Sequence, residues 1–366
     1  MDNEVKSNTV SKHNFCKILQ TNPTKRVSMS TTLVQTASQN LTDVLRDVFN
    51  HDDSSTALVI YDLDSPLSTL LADAYRIALP KGIFINFNDA DKDDILSLIE
   101  ALQAGDFVAL VQSKSFRLSA FRIRIELFKK SIKVAEHPHL GRMPTDEEVK
   151  LYVNALAYDK EYFHHTGHTL KDMINKAEGA VVHSGDEKLI YKGGFEPAKI
   201  NIGDYREMKN MGGQFPIGEV FTEATELRSL NGRTNIIAFG DTNYKVNIPP
   251  HPITIIIENG QVVRTENSTA EFEAVLNMIK EEENVVWVRE LGLGLNRAFS
   301  KDKHVSDMGT FERMCGLHLS LGAKHGIYAK EGMKRNSGKF HIDVMLDTST
   351  LDIDDTVVFS DERWQV

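Results

Sequence analysis

Thr56-Ala-Leu-Val-Ile-Tyr-Asp-Leu-Asp-Ser-Pro66 decides how the first half of the chain is read. Residues 56–61 form a short apolar run with β-branched and aromatic members, as expected of a buried strand. Residues 62–65 then offer turn and capping groups, and Pro66 suits the first turn of a helix reaching about residue 78. Gly82-Ile-Phe-Ile-Asn-Phe87 and Asp106-Phe-Val-Ala-Leu-Val111 repeat the strand signature, with a helix predicted over 92–103 between them. A short helix over 41–49 precedes the series. Strands and helices alternating over short links predict an open, mostly parallel α/β domain. No Gly-x-Gly-x-x-Gly turn follows the first strand, so the dinucleotide-binding fingerprint is absent.

Further along, the pattern changes. Residues 234–239, 253–258 and 261–265 are strand-like, and Glu258-Asn-Gly-Gln261 is a strong hairpin turn. A helix over 270–282 leads to strands over 285–289, 317–321 and 340–346. Hairpins with scattered helices predict an α+β C-terminal domain built on antiparallel sheet. The expected division is a disordered leader over 1–39, an α/β domain over 40–190 and an α+β metal-binding domain over 191–366. The leader is rich in Asn, Ser, Thr and Lys, and Met29 is an alternative start.

The chain has 366 residues, 41% of them hydrophobic, enough for a sizeable core. Its formal charge of −10 argues against broad nucleic-acid binding, which needs a positive field. Arg117, Arg122, Arg124, Lys129 and Lys130 form a local basic exception, read as the solvated face of an amphipathic helix. Cys16 and Cys315 are the only cysteines, so no disulfide framework follows and a reducing, cytoplasmic setting is expected. No apolar run is long enough for a membrane helix, and the N-terminus lacks the apolar core of a secretory signal.

The chemistry is sought first in Lys339-Phe-His-Ile-Asp-Val-Met-Leu-Asp347. Strand alternation sends Phe340, Ile342 and Val344 one way and His341, Asp343 and Met345 the other. An imidazole and a carboxylate held on one strand face suit a divalent metal. Four further groups can complete the shell. Glu219 follows Pro216 and Gly218; Glu290 ends an apolar strand and opens Glu290-Leu-Gly-Leu-Gly-Leu-Asn296; His318 alternates with Leu317 and Leu319; Glu312 lies just upstream of it. Each alone has an ordinary structural explanation, as a salt-bridged surface carboxylate or a hydrogen-bonded core histidine. Together they form a mixed carboxylate–imidazole set for one or two ions such as Zn, Mn, Co or Fe.

Pro216-Ile-Gly-Glu-Val-Phe-Thr222, Glu290-Leu-Gly-Leu-Gly-Leu-Asn296, Gly316-Leu-His-Leu-Ser-Leu-Gly322 and His341-Ile-Asp343 resemble, in order, the metal-binding motifs of the thermophilic-type metalloaminopeptidases, the aminopeptidase T and S family. Pro252-Ile-Thr-Ile-Ile-Ile-Glu-Asn-Gly-Gln-Val-Val263 is similar to the hairpin between the first two motifs. The resemblance runs over about residues 212–359 and is loose upstream. It implies metal ligation by Glu219, Glu290, His318, His341 and Asp343, with two Zn, Co or Mn ions per chain. It also implies Glu290 as the bridge and Glu219 as a ligand or as the general base. A homodimer that removes N-terminal residues from peptides follows from the same likeness. Where the family tends to carry a catalytic tyrosine this chain has His325, with Tyr328 nearby, so either is the candidate substitute. The interval between His318 and His341 is shorter than in the family.

The same motifs resemble the 2,5-dihydroxypyridine dioxygenase group, in which one Fe(II) uses two histidines and a carboxylate. In that reading His137, His139 and the group His164-His-Thr-Gly-His168 offer acid–base or supporting histidines. A non-catalytic member acting as a binding module is the third expectation.

Overall fold

The computed structural model describes residues 31–118, 123–206, 208, 210–323 and 339–366. Cys16, Met29, Arg122, His325 and Tyr328 lie outside these residues, as do residues 1–30 of the expected leader. The first helix, α1 (Thr31–Asp47), starts well before the expected position 41, so residues 31–39 are helical and not a disordered leader. Its buried Ala37, Leu41, Val44 and Leu45 fall at the spacing of one helix face. The polar remainder of the segment hid that stripe.

The α/β half follows as β1 (Ala57–Tyr61), α2 (Pro66–Ala78), β2 (Ile83–Asn86), α3 (Lys92–Ala101), β3 (Phe107–Val111), α4 (Ile123–Lys129), β4 (Lys133–His137), α5 (Asp146–Ala155) and α6 (Lys160–Lys176). Every residue of β1 and β3 is buried, because helices cover both faces of the sheet. Ser65 and Ser68 cap α2 reciprocally, each hydroxyl accepting from the other's backbone N–H at 3.1 and 3.2 Å.

The second half comprises β5 (Gly179–Ser184), β6 (Glu187–Lys192), β7 (Lys199–Asn201), β8 (Gly212–Gln214), β9 (Glu219–Glu223), β10 (Asn231–Gly240), β11 (Val246–Asn247), β12 (Ile253–Glu258) and β13 (Gln261–Glu266). It continues through α7 (Ala270–Glu283), β14 (Val288–Gly294), α8 (Met308–Phe311), β15 (Gly316–Gly322), β16 (His341–Leu346), β17 (Thr350–Ile353), β18 (Thr356–Ser360) and β19 (Arg363–Trp364). Two sheets result: a parallel one ordered β2-β1-β3-β4-β8, and a large antiparallel one running β19-β18-β17-β5-β6-β10-β16-β15-β14-β9-β7. This is an α/β domain with a parallel sheet joined to an antiparallel-sheet domain. The chain does not cross between them once. β5 to β7 belong to the antiparallel sheet, β8 returns to pair with β4, and the expected division at residue 190 falls inside β6.

Asn259 and Gly260 have φ of 51° and 74°, the positive values a two-residue hairpin turn between β12 and β13 requires. The strand expected over 285–289 is displaced: β14 carries on through Glu290 and the glycine run. Glu290 is therefore inside a strand and not at its end. The two halves share one core, in which Phe49, Tyr205 and Phe215 pack with Phe299 and Met345. Polar ties reinforce it, with Arg142 on Asp307 at 2.8 Å and Asn296 Nδ2 donating to the Ala155 carbonyl at 2.9 Å. Among the described residues, no helix is long and apolar enough to cross a membrane.

Candidate metal centre

Four neighbouring strands, β9, β14, β15 and β16, carry the candidate residues. Their register pairs Gly294 with Glu219, Glu290 with Glu223, Gly292 with His318, Ser320 with Asp343 and Gly322 with His341. Paired residues share a sheet face, so Glu219, Glu290, His318, His341 and Asp343 all project to one side. Leu291, Leu293, Leu317, Leu319, Leu321, Ile342 and Val344 occupy the other side, buried in the core. The structure brings all five together on the floor of a cleft of about 1510 Å³ between the two halves, with His318 lying beneath its surface.

Local structure fixes each direction. Ahead of Glu219 the Phe215-Pro216 peptide is cis, and Gly218 has φ of 125°. A Cβ on Gly218 would lie 2.7 Å from Phe163 Cε1, so only glycine fits this turn. Tyr152 Oη donates to the Phe215 carbonyl at 2.8 Å and Asn296 Nδ2 to the Ile217 carbonyl at 3.1 Å. On β14, the Glu290 N–H donates to Ser320 Oγ at 3.0 Å. His341 Nδ1 meets the Ala323 carbonyl at 3.2 Å, an acceptor, so Nδ1 carries the proton and Nε2 faces Asp343 Oδ1 at 3.2 Å.

His318 provides the test of whether a metal fits. It is fully buried, and among the described residues neither ring nitrogen has a hydrogen bond. Its Nε2 nevertheless points between two carboxylates, 3.4 Å from Glu219 Oε1 and 3.5 Å from Glu290 Oε1. A buried nitrogen set between two carboxylate oxygens fits a coordinating group around a cation. Ligand atoms of Glu219, Glu290 and His318 lie within 4.8 Å of one another, as do those of Glu290, His341 and Asp343. Glu290 belongs to both groups, and neither holds both histidines.

Glu312, which the sequence offered as a further member of the shell, joins the cluster together with Arg313, which the sequence reading had not singled out. Glu312 forms a third group with His318 and Asp343. Arg313 Nη1 reaches Glu219 Oε2 at 3.0 Å and also contacts Glu312 Oε1. α8 and its Asp307 cap deliver this pair, since the Asp307 carboxylate accepts from the Thr310 N–H at 3.0 Å. Four carboxylates thus share the cluster with one guanidinium, and the excess negative charge draws protons. Burial works against a charged His318, but Glu290 and Glu219 outweigh it and raise its pKa to about 9. Burial raises Asp343, yet the His341 imidazole overrides it and holds the carboxyl at about 2. Burial pushes Glu219 and Glu312 above the usual carboxylate range. These residues fit divalent cations.

The other sequence candidates lie elsewhere. His137 is in the core, not in the cleft: Nδ1 meets Tyr152 Oη at 2.9 Å and Nε2 meets Tyr75 Oη at 2.8 Å. Tyr152 spends its hydroxyl proton on Phe215, so it accepts from Nδ1–H, and Tyr75 donates to Nε2. The ring is satisfied as a neutral group, which removes His137 as a proton-transfer residue. His139 lines the cleft in a left-handed conformation, φ 57°. The basic run does not form one solvated face. Arg117 and Arg124 line the cleft, with Arg124 on Glu136, while Lys129 and Lys130 lie outside it.

No family model and no curated protein matches the chain. Among solved structures it is similar to wild-type AmpT from Thermus thermophilus. The TM-score is 0.52 at 14% identity, covering 90% of this chain and 99% of that one. At this identity the likeness speaks for the fold.

Proposed function

We propose that the protein is a metal-dependent aminopeptidase holding two divalent ions on the floor of the cleft. One observation carries this reading. Glu290 belongs to one ligand group with His318 and to another with His341, and none of the groups at the cleft floor holds both imidazoles, as expected of a carboxylate shared by two ions. A single Fe(II) with two histidines and a carboxylate would need both imidazoles on one ion. The AmpT-like fold supports a peptidase-like scaffold. At about 1510 Å³ the cleft exceeds the usual ~300–1,000 Å³ of small-molecule pockets and suits an extended substrate.

When bound, such ions would acidify a water and polarise the scissile carbonyl. The chain's own residues supply the rest. Arg313 occupies Glu219 Oε2 and leaves Oε1 toward His318, which favours a ligand role for Glu219 over that of base. Glu312 lines the cleft beside His318 and Asp343, with its side chain 16% exposed. It is the carboxylate placed to take a proton from water and return it to the leaving amine. The Arg313 contact to Glu312 Oε1 holds it in that position. Protein stripped by chelator and reloaded with Zn, Co or Mn should release the N-terminal residue of a free peptide and leave an acetylated peptide intact. No release with any of the three ions, or oxygen consumption with one iron per chain, defeats the assignment.

A further inference from the structure

α6 presents His164 and His168 one turn apart, and Asp204 reaches both from the segment after β7. The helix lies close to that segment. A Cβ on Gly167 would sit 2.8 Å from Ile202 Cγ2, so the glycine lets Asp204 come over the histidine pair. His168 Nε2 is 3.0 Å from Asp204 Oδ2, and His164 Nδ1 is 3.7 Å from the same oxygen.

Hydrogen bonding settles the His164 tautomer. Tyr158 Oη donates its one proton to the Ile202 carbonyl at 2.9 Å. It must therefore accept from His164 Nε2–H, also at 2.9 Å. Its Nδ1, the nitrogen not engaged by Tyr158, is turned toward the Asp204 carboxylate. A histidine whose second nitrogen donates to an oxygen is also how metal-bound imidazoles are oriented.

We infer that His164 Nδ1, His168 Nε2 and Asp204 form a separate site for one divalent transition-metal ion at the rim of the cleft. Two imidazoles and one carboxylate select zinc and its neighbours over calcium or magnesium. His168 and Asp204 line the cleft, so a fourth coordination position opens toward it. Arg206 donates to Asp204 at 2.8 and 2.6 Å. A carboxylate has about four acceptor sites, which leaves room for the ion. The Arg206 side chain is 79% exposed.

The test is zinc content per chain of the full-length protein, stripped by chelator, reloaded with Zn²⁺ alone and desalted. His168→Ala and Asp204→Asn should each bind one zinc fewer than the unsubstituted chain, whatever number the cleft floor holds. Because the His168 side chain is 42% exposed, its replacement leaves α6 folded, and far-UV circular dichroism checks this. His341→Ala should retain the rim ion, so failure at the floor and failure at the rim are separable. Equal zinc content in His168→Ala and the unsubstituted chain overturns the site and leaves a plain His168–Asp204–Arg206 ion-pair cluster.

Discussion

Gly292 lies directly opposite His318 across the β14–β15 ladder, and a Cβ there would sit 2.0 Å from His318 Nε2. The missing side chain is what lets the imidazole lie across β14 toward Glu219 and Glu290. Gly292→Ala should therefore displace the ring without straining the backbone, since Gly292 does not adopt positive φ. A displacement of about 1 Å is worth roughly 10²-fold in rate. We expect a loss of that order in peptide release, with bound metal reduced and far-UV circular dichroism unchanged. Wild-type metal content and rate in Gly292→Ala would show that His318 has no contact with the ions.

Dividing the histidines between two groups makes the ligand substitutions distinguishable. His318→Ala removes a member of the group formed by Glu219 and Glu290, and His341→Ala a member of the group formed by Glu290 and Asp343. Each should cost one ion of the floor pair, while Glu290→Gln, which touches both groups, should weaken both. Elemental analysis of the three variants reads this directly. If His318→Ala and His341→Ala each empty the floor, one ion is shared by both imidazoles and the two-ion arrangement fails.

The parts that were legible in the sequence are those where a short period carries the information. Alternation in residues 316–322 and 340–346 separated the candidate ligands from the core, and the ladder register has the same two faces. The Asn259-Gly260 turn announced its hairpin for a similar reason, because few residues accept positive φ. What was hidden depends on distant pairing. α1 is polar apart from its stripe, and that stripe has meaning only against α2 and α5. The extent of β14 was concealed by glycines, which weaken a strand in isolation but here accommodate His318 and the Met314 carbonyl. Glu312 and Arg313 follow a four-residue helix, and nothing local marks them as partners of Glu219. His137 looked like chemistry because its two tyrosine partners are not near it in sequence.

Glu312 should separate proton transfer from metal binding. Glu312→Gln keeps the side-chain shape and an acceptor for Arg313 but cannot take a proton. General-base loss costs about 10²- to 10⁴-fold, so kcat should fall within that range while both floor ions remain. A fall in metal content with no separate effect on kcat would make Glu312 a ligand. Unchanged kcat would remove it from the reaction.

His137 gives the fold a predictable acid sensitivity. Burial lowers its pKa to about 3, against an ordinary value near 6.5 in the unfolded chain. Above pH 6.5 neither state binds the proton, so His137 adds no pH dependence there. Between about 6.5 and 3 the unfolded chain holds a proton that the folded one excludes. Stability therefore falls as pH falls, by about 1.4 kcal/mol per unit from this group. His137→Gln should lose about 1–3 kcal/mol at pH 7 through its broken bonds to Tyr75 and Tyr152. It should also flatten the decline below pH 6.5 by one proton's worth. Urea midpoints at pH 7, 6 and 5 measure both effects. Parallel curves for the variant and the unsubstituted protein would place the acid sensitivity on other groups.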